Sequence, residues 1–158
     1  MRRKSMYWGE GLSNSCCREL LKVALSDAHI QTALRLLDKV DIAFIGVGPA
    51  DFHGPLEEGD NFFSAGQLAK VRGAGAVGQL HQRFIDAEGQ PVKTELDQLV
   101  VGITLEQLRN AGRRIAVAGG ADKHVALAAA LAGKWINVLV TDVNSANYLM
   151  NTAAKGKS

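Results

Sequence analysis

The stretch RIAVAGGADKHVALAAALAGKWINVLV, residues 114–140, constrains the fold more than any other part of the chain. An apolar run ends in two glycines, an alanine-rich segment of helical period follows, and Gly133 stops it before a second apolar run. The pattern predicts a strand over 114–118, a helix over 121–132 and a strand over 136–140. Strands joined by a whole helix cannot form a hairpin. They lie parallel, with a right-handed crossover. The expected architecture is therefore α/β: a Rossmann-like, mostly parallel sheet flanked by helices. In such sheets ligands bind beyond the carboxyl ends of the strands, where connections diverge.

Other segments extend this frame. Ser26 is placed to cap a helix through Asp38, with Ile30, Ala33, Leu34 and Leu37 as its apolar stripe. DIAFIG (41–46) reads as a strand buried on both faces, and GVGPADFHG behind it as a loop. A short helix is expected over 66–71, a glycine-bulged strand over 76–85, a turn at AEGQ, and a short strand in LDQLVVGI. Thr104 and Gln107 form a capping box for a helix ending near Gly112, and a last helix is expected over 143–150. Residues 1–17 read as a patternless leader and 151–158 as a flexible tail, which leaves one domain over 18–150.

Composition excludes several classes. The 158 residues are 47% hydrophobic and 22% charged with a net charge of +2, so nothing marks a dedicated nucleic-acid surface. MRRKS is basic, but the polar residues behind it do not make a signal peptide, and no run of about 18 apolar residues suggests a membrane span. The expected location is the cytoplasm. The adjacent Cys16 and Cys17 read as reduced thiols, and histidines 29, 53, 81 and 124 lack metal-ligand spacing. No cofactor and no metal are expected.

Three segments should open on the same sheet edge: GVGPADFHG, which contains Gly48, then GGADK and TD. Gly119 and Gly120 would let backbone amides approach a ligand, and Lys123 adds a cation near a helix start, so a phosphate is the natural guest. The plainer reading is a tight turn with a lysine reaching water. Asp142 is a candidate hydroxyl acceptor or a cap of the last helix. Gln79 is a candidate crevice residue, and Asp51 and His53 sit in a solvated loop. No Ser/His/Asp trio, acid pair or nucleophile motif can be assembled, so no catalytic residue is assigned.

DIAFIGVG, GAGAVGQLHQRFIDAEGQPV, VVGITLEQLR, IAVAGGADKHVALAAAL and INVLVTDVNSANYLM stand in the order and spacing of the SorC (DeoR-like) bacterial transcriptional regulators, which the chain resembles from about Arg18 to Met150. The resemblance is to the C-terminal effector-binding domain, whose fold is similar to glucosamine-6-phosphate deaminase, ribose-5-phosphate isomerase and CoA-transferase. It implies carbohydrate binding: a phosphorylated sugar or polyol held near Gly48, Gln79, Gly119, Gly120, Lys123 and Asp142, controlling the oligomeric state and DNA binding of a full-length regulator. Three departures stand out. Gln79 occupies a place where the family is expected to carry an acid, no helix-turn-helix domain is present, and the opening of the effector domain has no counterpart. DNA contact is thus expected only through a domain absent from this chain. The chain reads as a truncated regulator, whether fragment, degenerate product or stand-alone module. Its exposed sheet edge and apolar faces predict self-association. The rival readings are a sugar-phosphate isomerase or deaminase using Asp51 or His53, and a dimerisation remnant that binds nothing.

Overall fold

The computed structural model describes residues 14–50, 63 and 65–155. In chain order these form α1 (Asn14–Ser26), α2 (Ala28–Leu36), β1 (Ile42–Ile45), β2 (Val47–Pro49), α3 (Ala65–Gly73), β3 (Gly78–Leu80), β4 (Arg83–Ile85), α4 (Leu105–Asn110), β5 (Arg113–Val117), α5 (His124–Ala132), β6 (Val138–Val140) and α6 (Val143–Lys155). The fold is α/β, with a parallel sheet in the order β1-β5-β6. A second, antiparallel sheet has the order β2-β3-β4.

The parallel crossover β5-α5-β6 is the unit read from residues 114–140. Its helix is apolar on every side, as a helix enclosed by other elements must be. Ala126, Leu127, Ala129 and Ala130 are buried, and α5 packs on β2, β3 and α6. Leu80, Ile85, Leu108, Ala116 and Trp135 join the same core, so one apolar cluster connects the two sheets. A second cluster of Phe63, Leu68, Val71, Phe84 and Leu96 lies under α3.

Several local expectations are corrected. The first helix is two helices that part at Asp27, whose carboxylate accepts from the amides of His29 (2.8 Å) and Ile30 (3.1 Å). Ser26 instead ends α1 and turns its hydroxyl back to the Val23 carbonyl. An aspartate one residue on outcompetes serine for the cap, because its charge is free to face the helix start. Helix α1 begins at Asn14, within the segment expected to lack pattern, and the stripe on α2 is only partly covered. The strand expected over 76–85 is a hairpin, β3–β4, turning at His81 and Gln82 with φ of 48° and 63°. A two-residue turn with both φ positive matches the twist of paired strands, but His-Gln carries none of the usual sequence signal for it. LDQLVVGI holds no strand: Glu95–Leu99 is a 3-10 helix, closed by a box between Thr94 and Asp97. Arg83, nearly buried, fastens that segment by donating to the Asp97 carbonyl (2.8 Å), the Asp97 carboxylate (3.3 Å) and the Val100 carbonyl (3.1 Å).

DIAFIG is buried on one face only. Ala43 and Ile45 point into the core, whereas Ile42 and Phe44 are 55% and 70% exposed. Residues 47–49 of the expected loop form β2, and α6 continues past 150 to Lys155. Asp51 and His53 lie outside the described residues.

Two close approaches hold α5 in place. A Cβ at Gly78 would sit 2.8 Å from the Ala126 Cβ, so β3 and α5 touch backbone to backbone. Gly89 has φ of +74°, and a Cβ there would strike the Ala129 carbonyl oxygen and the Gly133 amide. Trp135 Nε1 donates to the Gly89 carbonyl at 2.6 Å, and the Arg109 guanidinium lies 4.1 Å above the Trp135 ring. We expect Gly89→Ala to lower unfolding free energy by about 1–3 kcal/mol in urea titration. Gly112→Ala, whose Cβ would meet nothing nearer than the Asp41 oxygen at 3.7 Å, should change it by less than about 0.5 kcal/mol.

Candidate functional site

At the carboxyl ends of β5 and β6 lies a shallow depression of about 380 Å³. Val117, Ala118, Gly119, Lys123, Val140, Thr141 and Asp142 line it. Topology alone pointed to this edge, because β5 and β6 are adjacent and parallel and their following segments must meet there.

The carboxylate of Asp142 organises the site. Its Oδ2 accepts from the Gly120 amide (2.9 Å) and the Ser145 hydroxyl (2.7 Å), and its Oδ1 from the Ser145 amide (2.9 Å). Ser145 is fully buried, and its Oγ also accepts from the Gly120 amide (3.2 Å) and faces His124 Nε2 at 3.1 Å. The His124 ring stacks on Tyr148 with centroids 4.4 Å apart. These bonds, the Ser145 amide and hydroxyl first and the Gly120 amide next, hold the Asp142 carboxyl well below the usual carboxylate range. Asp142 is therefore a helix cap and a clamp on the glycine turn.

The two glycines are explained by the same contacts. A Cβ at Gly119 would strike the Asp142 carboxylate. Gly120 has φ of +103°, and a Cβ there would lie 2.7 Å from Asp122 Oδ1. The Gly120 amide is spent on Asp142 and Ser145, which corrects the expectation that it faces a ligand. Lys123 is also displaced from its expected place: Ala121–Lys123 is a 3-10 turn, and Lys123 is the N-cap residue of α5. No side chain caps either helical start, so first-turn amides remain for an outside acceptor. Among the described residues Lys123 has no ion-pair partner.

The six candidate residues fall into two groups. Gly119, Lys123 and Asp142 line the depression, and Gly120 shapes its rim. Gly48 and Gln79 are register partners on β2 and β3, outside the lining, although β2 packs against the 121–123 turn. The sequence reading missed Ser145, His124 and Thr141. Ser145 had a local signal, since it stands three residues after Asp142, the spacing of a cap and its first-turn partner. His124 had none, because its partners lie on another helix.

A serine, a histidine and an aspartate do meet here, but not as a nucleophilic triad. The serine is inaccessible, its proton goes to the aspartate, and the aspartate does not orient the histidine. No group of three or more metal-ligating side chains occurs among the described residues.

The "Putative sugar-binding domain" family model matches residues 2–151. The chain belongs to this sugar-binding domain family. The match starts well ahead of Arg18, where the quoted motifs begin. The transcriptional regulator YjhU of Escherichia coli K12 is 35% identical over 121 residues, covering 77% of this chain and 37% of that protein. A DeoR family regulator from Listeria monocytogenes superposes with a TM-score of 0.76 at 31% identity, over 84% of this chain and 53% of that one. The full-length sorbitol operon regulator SorC of Klebsiella pneumoniae gives a TM-score of 0.76 at 26% identity, over 84% and 43%. The chain thus spans less than half the length of YjhU. Its relatives are regulators of transcription, as the SorC resemblance implied.

The clamp predicts a pH signature. A carboxyl whose folded pKa is depressed stabilises the fold fully above its unfolded value, and that contribution is lost as pH falls through the folded pKa. We expect Asp142→Asn to unfold at lower urea than wild type at pH 7. The difference between the two midpoints should shrink as pH drops below about 4.

Proposed function

We propose that this chain is the effector-sensing part of a SorC-type transcriptional regulator and that it binds a phosphorylated sugar or polyol in the depression beside Lys123. The observation that carries this is Lys123 itself: a cation without a carboxylate partner among the described residues, on the wall of a depression, at a helix start that no side chain caps. A phosphate satisfies both the lysine and the first-turn amides. Val117 and Val140 offer an apolar wall to the carbon skeleton, and Gly48 and Gln79, on the sheet beside the 121–123 turn, belong to the outer part of the same site. An amide at Gln79 accepts a sugar hydroxyl without adding negative charge, which suits an already anionic ligand.

In this reading the protein senses rather than catalyses, in the cytoplasm, and reaches DNA only through a helix-turn-helix domain on the full-length regulator. The Asp142 carboxylate, tied up and held in its ionised form, is a poor general base near neutral pH. That favours binding over isomerase or deaminase chemistry.

A thermal-shift series of sugar phosphates, the matching free sugars and inorganic phosphate tests the proposal. At about 100 times its dissociation constant a ligand of the folded state adds about 2.7 kcal/mol of apparent stability. For a domain of this size that raises the melting temperature by roughly 5–10 °C. We expect such a shift with a phosphorylated sugar, a small one with the free sugar, and none with Lys123→Ala. A cooperatively melting wild type that responds to no phosphorylated sugar refutes it.

A further inference from the structure

The parallel sheet has one covered face and one bare one. Alternation along the strands sends Ala43, Ile45, Ala116 and Ala118 to the α5 side and Ile42, Phe44, Ile115, Val117, Val138 and Val140 to the other. Phe44, Ile115 and Val138 form one row across the three strands, and Val117 and Val140 the next. Phe44 is 70% exposed, Val117 64%, Ile42 55%, Val140 54% and Val138 37%. Parallel sheets are ordinarily covered on both faces, so a bare face of branched and aromatic side chains is an exception.

We propose that this face is the docking surface for a second copy of the chain, packed sheet against sheet about a two-fold axis. Three observations select that occupant. First, the exposed side chains leave on the order of 600 Å² of apolar surface in water, at the upper end for a monomer and most of the roughly 800 Å² each partner buries in a stable complex. Second, the rows are free of charge. Arg113, opposite Ile42, stands at the amino end of the face, so two copies meet without opposing like charges across the middle. Third, docking through the β1 edge is obstructed, because the Phe44 carbonyl already faces His81 Nε2 at 3.2 Å. The face is the available route, and branched side chains on a twisted sheet suit face-to-face packing about 10 Å apart.

The arrangement bears on the depression, since Val117 and Val140 belong to both. A partner sheet would wall the open side of that depression, so each copy completes the other's site. The docking rests on the sheet face alone and holds whatever ligand the depression takes.

Sedimentation velocity on the full chain, without sugar or phosphate, tests it. Wild type should sediment as a dimer at micromolar concentration. Phe44→Lys and Ile42→Lys, each made separately, should sediment as monomers with dissociation weakened by on the order of a hundredfold, while melting cooperatively. Val23→Lys, equally exposed but on α1, should remain dimeric. A monomeric wild type, a dimer that survives both sheet substitutions in folded protein, or a dimer lost in Val23→Lys overturns the proposal. Because no ligand is present, these outcomes leave the thermal-shift test of sugar-phosphate binding independent.

Discussion

The carboxylate of Asp142 joins pieces of chain that have no other reason to meet. It holds the turn after β5 through the Gly120 amide, starts α6 through the Ser145 amide, and orients the Ser145 hydroxyl that faces His124 on α5. An ionised acceptor bonded by amides and a hydroxyl makes stronger bonds than neutral partners would. The ends of both parallel strands are fixed by it, and with them the wall on which Lys123 stands. Gly119 is required because the clamp leaves no room for a side chain, so the glycine pair is explained by the fold before any ligand is invoked.

Around that clamp the architecture is organised by α5. A helix with alanine at most positions can be approached closely, and both sheets take advantage of it. Strand β3 comes so near that a Cβ at Gly78 would touch Ala126, and the turn after β4 carries Gly89 against the helix end. Bulkier side chains on α5 would hold the hairpin sheet away, and Gly48 and Gln79 would lose their place beside the 121–123 turn. The small side chains are thus the means by which two sheets share one core.

The bare sheet face and the shallow site are consequences of one geometry. Where the second layer of an α/β domain would lie, the described residues supply none, so the valines that should be interior stand in water at the mouth of the depression. A chain that spans only part of its regulatory relatives carries the sugar-binding family's crossover, glycine turn and lysine, together with a surface that calls for a partner.

The sequence by itself determined the crossover unit, the parallel pairing of β5 and β6, the edge where a ligand would bind, and the family. Each follows from periodicity, handedness or motif order, which are local or topological properties. Tertiary structure decided the rest. Whether DIAFIG is covered on both faces depends on what packs above it, which its own residues do not state. The His81–Gln82 hairpin turn lacks Gly or Asn because the flanking pairing and packing hold its strained backbone. The fate of the Gly120 amide was equally out of reach: an amide at a glycine turn can face a phosphate or a carboxylate, and which one it meets is set by Asp142, 22 residues away along the chain but 2.9 Å away in space.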